Sequence, residues 1–237
     1  MPLSRIEDAL EDIKAGRMII IVDDEDRENE GDLTMAAELV TPEAINFMAT
    51  FGKGLICVPM LGQRLKELNL PLMVQDNTAP LSTAFTVSVD SLIGTTTGIS
   101  AQDRAITIKA LADSSTIPSD LGRPGHIFPL QYVEGGVLKR TGQTEASIDM
   151  CRIAGLSEAA VICEIMADDG NMARMPDLER FSEEHDIKVV SVADLITYRR
   201  QHERLIERAA EARVPTEYGE FRAVSYSSLV DVYEHVA

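Results

Sequence analysis

Cysteine is scarce in this sequence: Cys57, Cys151 and Cys163 are the only three in 237 residues. An odd number at long spacings excludes a disulfide framework or a zinc site as the organising device, and it fits a reduced, cytosolic compartment. Long apolar runs are missing too. None approaches the roughly 20 residues of a membrane helix, and Met1-Pro-Leu-Ser-Arg5 has no apolar core of the signal-peptide kind. A soluble cytoplasmic protein is the expectation. Basic residues are few, with 22 lysines and arginines against 39 aspartates and glutamates, a formal charge of −17. That balance disfavours nucleic acid or an anionic membrane as partner. An anionic small molecule would need a local cation or a metal. No internal repeat of 20–50 residues is visible. What remains is 45% hydrophobic and 26% charged, the composition of a globular protein of one large domain, or one domain with an appendage.

Helix and strand signals alternate along the chain. Ser4 and Glu7 form a capping-box pattern ahead of Ile6, Leu10 and Ile13, with a stop at Gly16. Met18–Val22 reads as a strand buried on both faces. Thr41-Pro42 opens a helix that runs to Gly52 or Gly54. Strands are expected at 55–60, 85–89, 126–133, 159–166 and 188–190. Helices are expected at 61–70, after Ser100 and Asp103, at 144–154, at 176–185, and from Ser191 and Asp194 towards Ala212. Such alternation specifies an α/β fold. The segment from Leu205 to Ala212, charged and alanine-rich, reads as a connecting helix. Phe221–Val236 has strand-like content but is too short to build a core of its own.

Four groups of residues could carry chemistry. Asp23-Asp-Glu-Asp-Arg-Glu-Asn-Glu-Gly-Asp32 holds seven carboxylates around one arginine, directly after a buried strand. A solvated acidic loop is one reading. A Mg²⁺ site is the other, because loops beyond strand ends build sites in α/β proteins. Arg123-Pro-Gly-His126 places a histidine between a turn and an apolar strand, as suits a structural or a catalytic imidazole. Gly135 to Glu145 brings Lys139 and Arg140 up to Thr141-Gly142 and to Thr144, the expected helix N-cap. That arrangement suits a phosphate, through free N–H groups, close approach and guanidinium charge. Glu164 lies inside the apolar strand Ala159–Met166, where burial would raise its pKa and suit it to acid–base work. Cys57 and Cys163 fall in apolar strands and read as core residues. Gly98-Ile-Ser-Ala-Gln-Asp-Arg104 could line a pocket.

Taken in order, 24–33, 98–104, 123–126, 140–146 and 162–164 make the chain resemble the 3,4-dihydroxy-2-butanone 4-phosphate synthase family of riboflavin biosynthesis, over about residues 3 to 203. The resemblance implies a single mixed-sheet α/β domain of that type, a homodimer, and Mg²⁺ or Mn²⁺. It implies a lyase that converts D-ribulose 5-phosphate into L-3,4-dihydroxy-2-butanone 4-phosphate and formate. By similarity, Glu28 is a metal ligand, Arg27 and Asp32 contact substrate, and Arg140, Thr141, Gly142, Gln143 and Thr144 form the phosphate-holding segment. His126 and Glu164 match positions needed for catalysis, with Glu164 also at the substrate.

Gln143 departs from the family pattern, which has a metal-binding histidine there. An amide oxygen suits Mg²⁺ but lacks the imidazole nitrogen that softer metals prefer, so the metal set Glu28 and Gln143 is expected to be a weaker site, its preference shifted from Mn²⁺ towards Mg²⁺ relative to family members. A catalytically weak paralogue that binds a sugar phosphate or a partner subunit is the alternative. The tail, 212–222 and 229–237, resembles the opening of GTP cyclohydrolase II without its zinc-binding cysteines. The expected division is therefore 1–204 and 205–237, with no GTP cyclohydrolase activity.

Overall fold

The computed structural model describes residues 3–230 and 233–237; Met1, Pro2, and Asp231–Val232 within the expected terminal strand run lie outside the described residues. The centre is a mixed seven-stranded sheet. Its strands are β1 (Ile19–Val22), β2 (Gly31–Ala36), β3 (Cys57–Met60), β4 (Val89–Ser91), β5 (Leu121–Gln131), β6 (Ala160–Glu164) and β7 (Val189–Ser191). They lie in the order β4-β5-β3-β6-β2-β1-β7. β6 is antiparallel to both β2 and β3, whereas β3 runs parallel to β5 and β1 parallel to β7.

Alternation along each strand sends side chains to two cores. Leu33, Met35, Val58, Met60, Val161 and Cys163 meet α2 (Pro42–Phe47), α4 (Ala101–Ala112) and α6 (Met175–His185) on one face. Ile19, Ile21, Ala36, Ala160 and Val190 meet α1 (Ile6–Lys14), α5 (Gln143–Ile153) and α7 (Val192–His202) on the other. α3 (Gly62–Glu67) follows β3. β1 is apolar at every position because helices cover both of its faces. Asp32 and Glu164 point to the α5 side, where their strands run out. Among the described residues no helix is long and apolar enough to cross a membrane.

The α/β expectation holds, and so do several caps. Thr41 accepts the Ala44 N–H at 3.2 Å, Ser100 accepts Asp103 N–H at 3.0 Å, and Ser191 accepts Asp194 N–H at 3.0 Å. The expected Ser4–Glu7 box does not form. The N-cap of α1 is Arg5, because Ser4 is drawn to β7, donating its N–H to Val189 O at 2.7 Å. The 85–89 run makes only isolated bridges through Phe85 and Thr86 before β4 begins at Val89.

The connecting helix is a further correction. α7 ends at His202, and Ile206–Thr216 is a strand, β8, paired antiparallel with β9 (Gly219–Ser228). Partnership with the strand-forming Phe221, Val224 and Tyr226 overrides the helix preference of the alanines. Pro215 is tolerated because β8 is an edge strand. β10 (Glu234–Val236) completes a three-stranded sheet on which Tyr218, Phe221 and Val236 are exposed. With so little apolar cover, amides of β8–β10 should exchange with deuterium orders of magnitude faster than those of β1, β2 and β6. Peptide-resolved exchange mass spectrometry measures this directly.

Candidate active site

The loop between β1 and β2 is built around one carboxylate. Asp23, whose side chain is fully buried, accepts Arg27 Nη1 at 2.6 Å and Glu28 N–H at 3.1 Å on Oδ2, and Glu30 N–H at 3.0 Å on Oδ1. Arg174, just before α6, ties the loop from behind by donating to Glu28 O at 2.7 Å and to Asn29 O. The acidic run is therefore a fixed turn. Its side chains Glu28 and Glu30 are held beside the start of β2 and the end of β6.

Asp32 and Glu164 are direct register partners across β2 and β6. Burial, followed by the charges of Glu164, Glu28, Glu30 and Asp23, holds the Asp32 carboxyl well above the usual carboxylate range. Burial also pushes Glu164 up, opposed by the Leu55 N–H, which donates to Glu164 Oε2 at 2.8 Å. Glu30 is raised by burial and by Glu28. Gly54 permits this packing, since a Cβ there would lie 2.6 Å from Glu164 Oε2 and 2.5 Å from its carbonyl oxygen. These carboxylates are crowded beyond what their own hydrogen bonds offset, and they offer hard oxygen donors. That set fits Mg²⁺.

Positive charge converges next to them. α5 begins at Gln143, with Gly142 as an N-cap that carries no side chain; the expected N-cap, Thr144, lies inside the first turn. A Cβ on Gly142 would meet Arg140 Nη1, and would lie 3.0 Å from Arg27 Nη2. The two guanidinium groups thus flank the free N–H groups of a helix start, an arrangement that holds anions. Each is itself held by a carboxylate: Arg27 by Asp23, and Arg140 by buried Glu145, whose Oε2 accepts Arg140 Nη1 at 2.6 Å. Gln143 is buried here, with Oε1 accepting Arg27 Nη1 at 2.9 Å. Thr144 is buried, while Thr141 is exposed and lines a cleft of about 590 Å³ with Arg27 and Val192 on the outer side of the loop.

His126 stands apart from this group. Cys57 is level with Phe128 on β5 and with Ile162 on β6. Before it the pairing with β6 shifts by one residue: Lys53 bridges Ile165, and Gly54 packs against the backbone of Glu164. His126 is engaged with Asp90 on β4, its Nδ1 lying 2.7 Å from Asp90 Oδ2. The buried Cys57, Cys151 and Cys163 are core residues; burial pushes the Cys151 and Cys163 thiols up to about 12.

Arg27, Glu28, Asp32, Arg140, Gly142, Gln143 and Glu164 are therefore gathered at one end of the sheet. Sequence reasoning singled out the segments that hold Asp23, Glu30 and Glu145 without giving these residues their roles as holders, and it passed over Asp90 and Arg174. Asp90 lies in the middle of β4, in an alternating polar and apolar run that gives it no signal of the kind that marked Glu164. A raised pKa means that folded Asp32 holds its proton more tightly than the unfolded chain does, so its contribution to stability declines as pH climbs above the ordinary carboxylate value. Asp32→Asn should accordingly raise the urea midpoint of the metal-free protein at pH 8. The difference from wild type should close towards pH 4, as measured by circular dichroism.

The geometry can be set beside known proteins. A family model for 3,4-dihydroxy-2-butanone 4-phosphate synthase matches residues 7–198. Over 236 residues the chain is 56% identical to the bifunctional riboflavin biosynthesis protein RIBA 1 of Arabidopsis thaliana, covering 99% of this chain and 44% of that protein. It is 54% identical to RibBA of Aquifex aeolicus, covering 98% of this chain and 58% of that protein. The chain thus spans about half the length of the curated relatives it matches. Among solved structures, RibBX, a two-domain 3,4-dihydroxy-2-butanone 4-phosphate synthase from A. baumannii, superimposes with a TM-score of 0.90 at 49% identity, over 99% of this chain and 69% of that one. A synthase crystallised with two magnesium ions matches with a TM-score of 0.81 at 41% identity, over 84% of this chain and 98% of that one. With the sheet, the acidic turn and the helix start all in place, the chain belongs to the 3,4-dihydroxy-2-butanone 4-phosphate synthase family.

Proposed function

We propose that the chain converts D-ribulose 5-phosphate into L-3,4-dihydroxy-2-butanone 4-phosphate and formate, using Mg²⁺ in preference to Mn²⁺. The observation that carries this reading is the juxtaposition of a crowded carboxylate group with two converging guanidinium groups. One end of such a site takes a cation and the other a phosphate, as a phosphorylated sugar held by a divalent metal requires. Arg140, Arg27 and the N–H groups at the start of α5 hold the phosphate, with Thr141 and Thr144 in the same segment. Glu28 holds the metal, and the Gln143 amide oxygen joins it by turning away from Arg27. When bound, the metal supplies a positive charge that stabilises an oxygen next to the carbon losing its proton.

The protein's own groups then manage protons. Asp32 and Glu164 keep a proton to higher pH than ordinary carboxylates, so the pair can give one to a departing hydroxyl. His126, held to Asp90 on β4, is the second group assigned to proton transfer in this reading. The burial of Asp32 and the closed turn around Asp23 limit water around the reacting carbons.

The same reading includes a homodimer. Exposed Leu72, Met73, Val74, Leu92, Ile93 and Ile99, in the segments either side of β4, support it. Buried, unpaired thiols support a cytoplasmic setting. In this reading residues 205–237 are a unit separate from the synthase domain; support comes from the family model, which ends at 198, and from the separate sheet of β8–β10. No cyclohydrolase activity on GTP is expected from this portion.

Three measurements test this. Formate should appear from D-ribulose 5-phosphate with Mg²⁺ and be abolished by excess EDTA; no formate from folded protein would refute the lyase. Glu164→Gln should lower kcat by roughly 10²–10⁴-fold, the usual share of a general acid–base group. Gln143→His should raise Mn²⁺ affinity about tenfold relative to Mg²⁺ in calorimetric titration. An unchanged ratio would place Gln143 outside the metal shell.

A further inference from the structure

The turn that carries Arg27 and Glu28 is gripped from two sides. Asp23 takes its N–H groups, at Glu28 and Glu30. Arg174 takes its carbonyl groups, with Nη1 donating to Glu28 O at 2.7 Å and to Asn29 O. Asn29 lies between these holders with a φ of 55°, in the left-handed region that a side chain enters only when its surroundings impose it. Its own N–H is donated to Asp24 O at 3.2 Å. Both peptide planes that flank Asn29 are therefore held at the N–H and at the C=O. That fixes the reversal of the chain, and with it the points from which Glu28 and Glu30 leave the backbone. A guanidinium suits the task because it presents its donors in a rigid fork.

Arg174 is itself placed by the end of β6. Ala173 donates its N–H to Ile165 O at 3.0 Å, and Ile165 donates its own to Gly31 O at 3.0 Å. Arg174 follows directly and caps α6, its N–H donated to Asp177 Oδ2 at 3.2 Å. Leu178, one turn along the helix, closes on the same segment: a Cβ on Gly31 would lie 2.7 Å from Leu178 Cδ1. A ring of contacts results. It runs from the turn through Gly31, Ile165 and Ala173 to Arg174, and back to the turn. Glu164 stands immediately before Ile165 in that ring. The Arg174 guanidinium is 4.0 Å from Glu30 Oε1, with its side chain 46% exposed.

We infer that Arg174 is a positioning residue for the metal-holding end of the site, keeping the β1–β2 turn in its binding shape before an ion arrives by gripping the carbonyl groups of Glu28 and Asn29. The inference rests on the proposed Mg²⁺-dependent lyase for the identity of the ion, but not for the rigidity of the turn. A turn free to open would relieve the repulsion among Glu28, Glu30 and Glu164 by moving away. An incoming cation would then have to offset the cost of ordering it again. Held closed, the turn keeps these carboxylates together, and the cation meets a site already formed.

Two variants separate the fork from the charge. Arg174→Lys keeps a cation beside Glu30 but loses the fork, and Arg174→Met removes both. In the metal-free chain, exchange mass spectrometry should show the amides of 24–30 exchanging roughly tenfold faster in both variants. Unchanged exchange in β1, β2 and β6 is the check that both are folded. Calorimetric titration with Mg²⁺ alone should show affinity lowered by about ten- to hundredfold, as for other groups that orient metal ligands. Saturating Mg²⁺ should then restore kcat for formate release to within about threefold of wild type, because the ion resupplies the lost order. Arg180→Lys, at an exposed position on the same helix, should alter none of these. Wild-type exchange and Mg²⁺ affinity in Arg174→Lys would overturn the inference, since charge alone would then suffice. Faster exchange with no loss of affinity, or a kcat that stays low at saturating Mg²⁺, would overturn it as well. A wild type that neither binds Mg²⁺ nor releases formate would instead remove the metal-dependent lyase, and the exchange rates alone would then decide whether Arg174 holds the turn.

Discussion

Like charges that cannot move apart set the terms for this structure. Asp32 and Glu164 are locked opposite each other by the pairing of β2 with β6, and the turn built on Asp23 delivers Glu28 and Glu30 to the same place. Relaxation by rotation is closed off by the bare backbone at Gly54 and by the hydrogen bond from Leu55 to Glu164. Two outlets remain, which are to hold a proton or to take up a cation, and a metal-dependent proton-transfer site uses both. A buried carboxylate in an inert core would have been paired with arginine, as Asp149 is with Arg199 at 2.7 Å. Asp32 has no such cation among the described residues.

The arginines of the site are secured by a different logic. Arg27 and Arg140 each have a carboxylate holder, Asp23 and Glu145, that is almost fully buried. The holder orients the guanidinium without covering all of its donors. The remaining N–H groups face the start of α5, where the backbone has donors of its own. α5 is buried from Gln143 to Cys151, so this helix start is anchored in the core and not presented on a loop.

Much of this was legible in the sequence, for identifiable reasons. Apolar runs such as Ile19–Val22 and Ala160–Cys163 admit one reading because helices cover both faces. Arg27, Glu28 and Asp32 stood out because they are packed into one short segment, and Glu164 because it interrupts an apolar strand. What escaped were partnerships between distant positions. Asp90 meets His126 across 36 residues, and Arg174 meets Glu28 across 146. No local pattern announces such pairs. The Leu205–Ala212 stretch failed for a related reason: its alanines favour a helix locally, and only the neighbouring strand β9 decides otherwise. The Ser4–Glu7 box failed because β7 competes for Ser4.

The two guanidinium groups sit inside a molecule of net charge −17. A phosphorylated ligand therefore meets repulsion at long range and attraction only within the last few ångströms. At physiological salt the repulsive part is screened beyond about 8 Å. Added salt should thus hasten the encounter while weakening the grip once contact is made, the reverse of the steering by which clefts of opposite charge speed capture. An acidic protein of this kind gives up speed of arrival at low ionic strength.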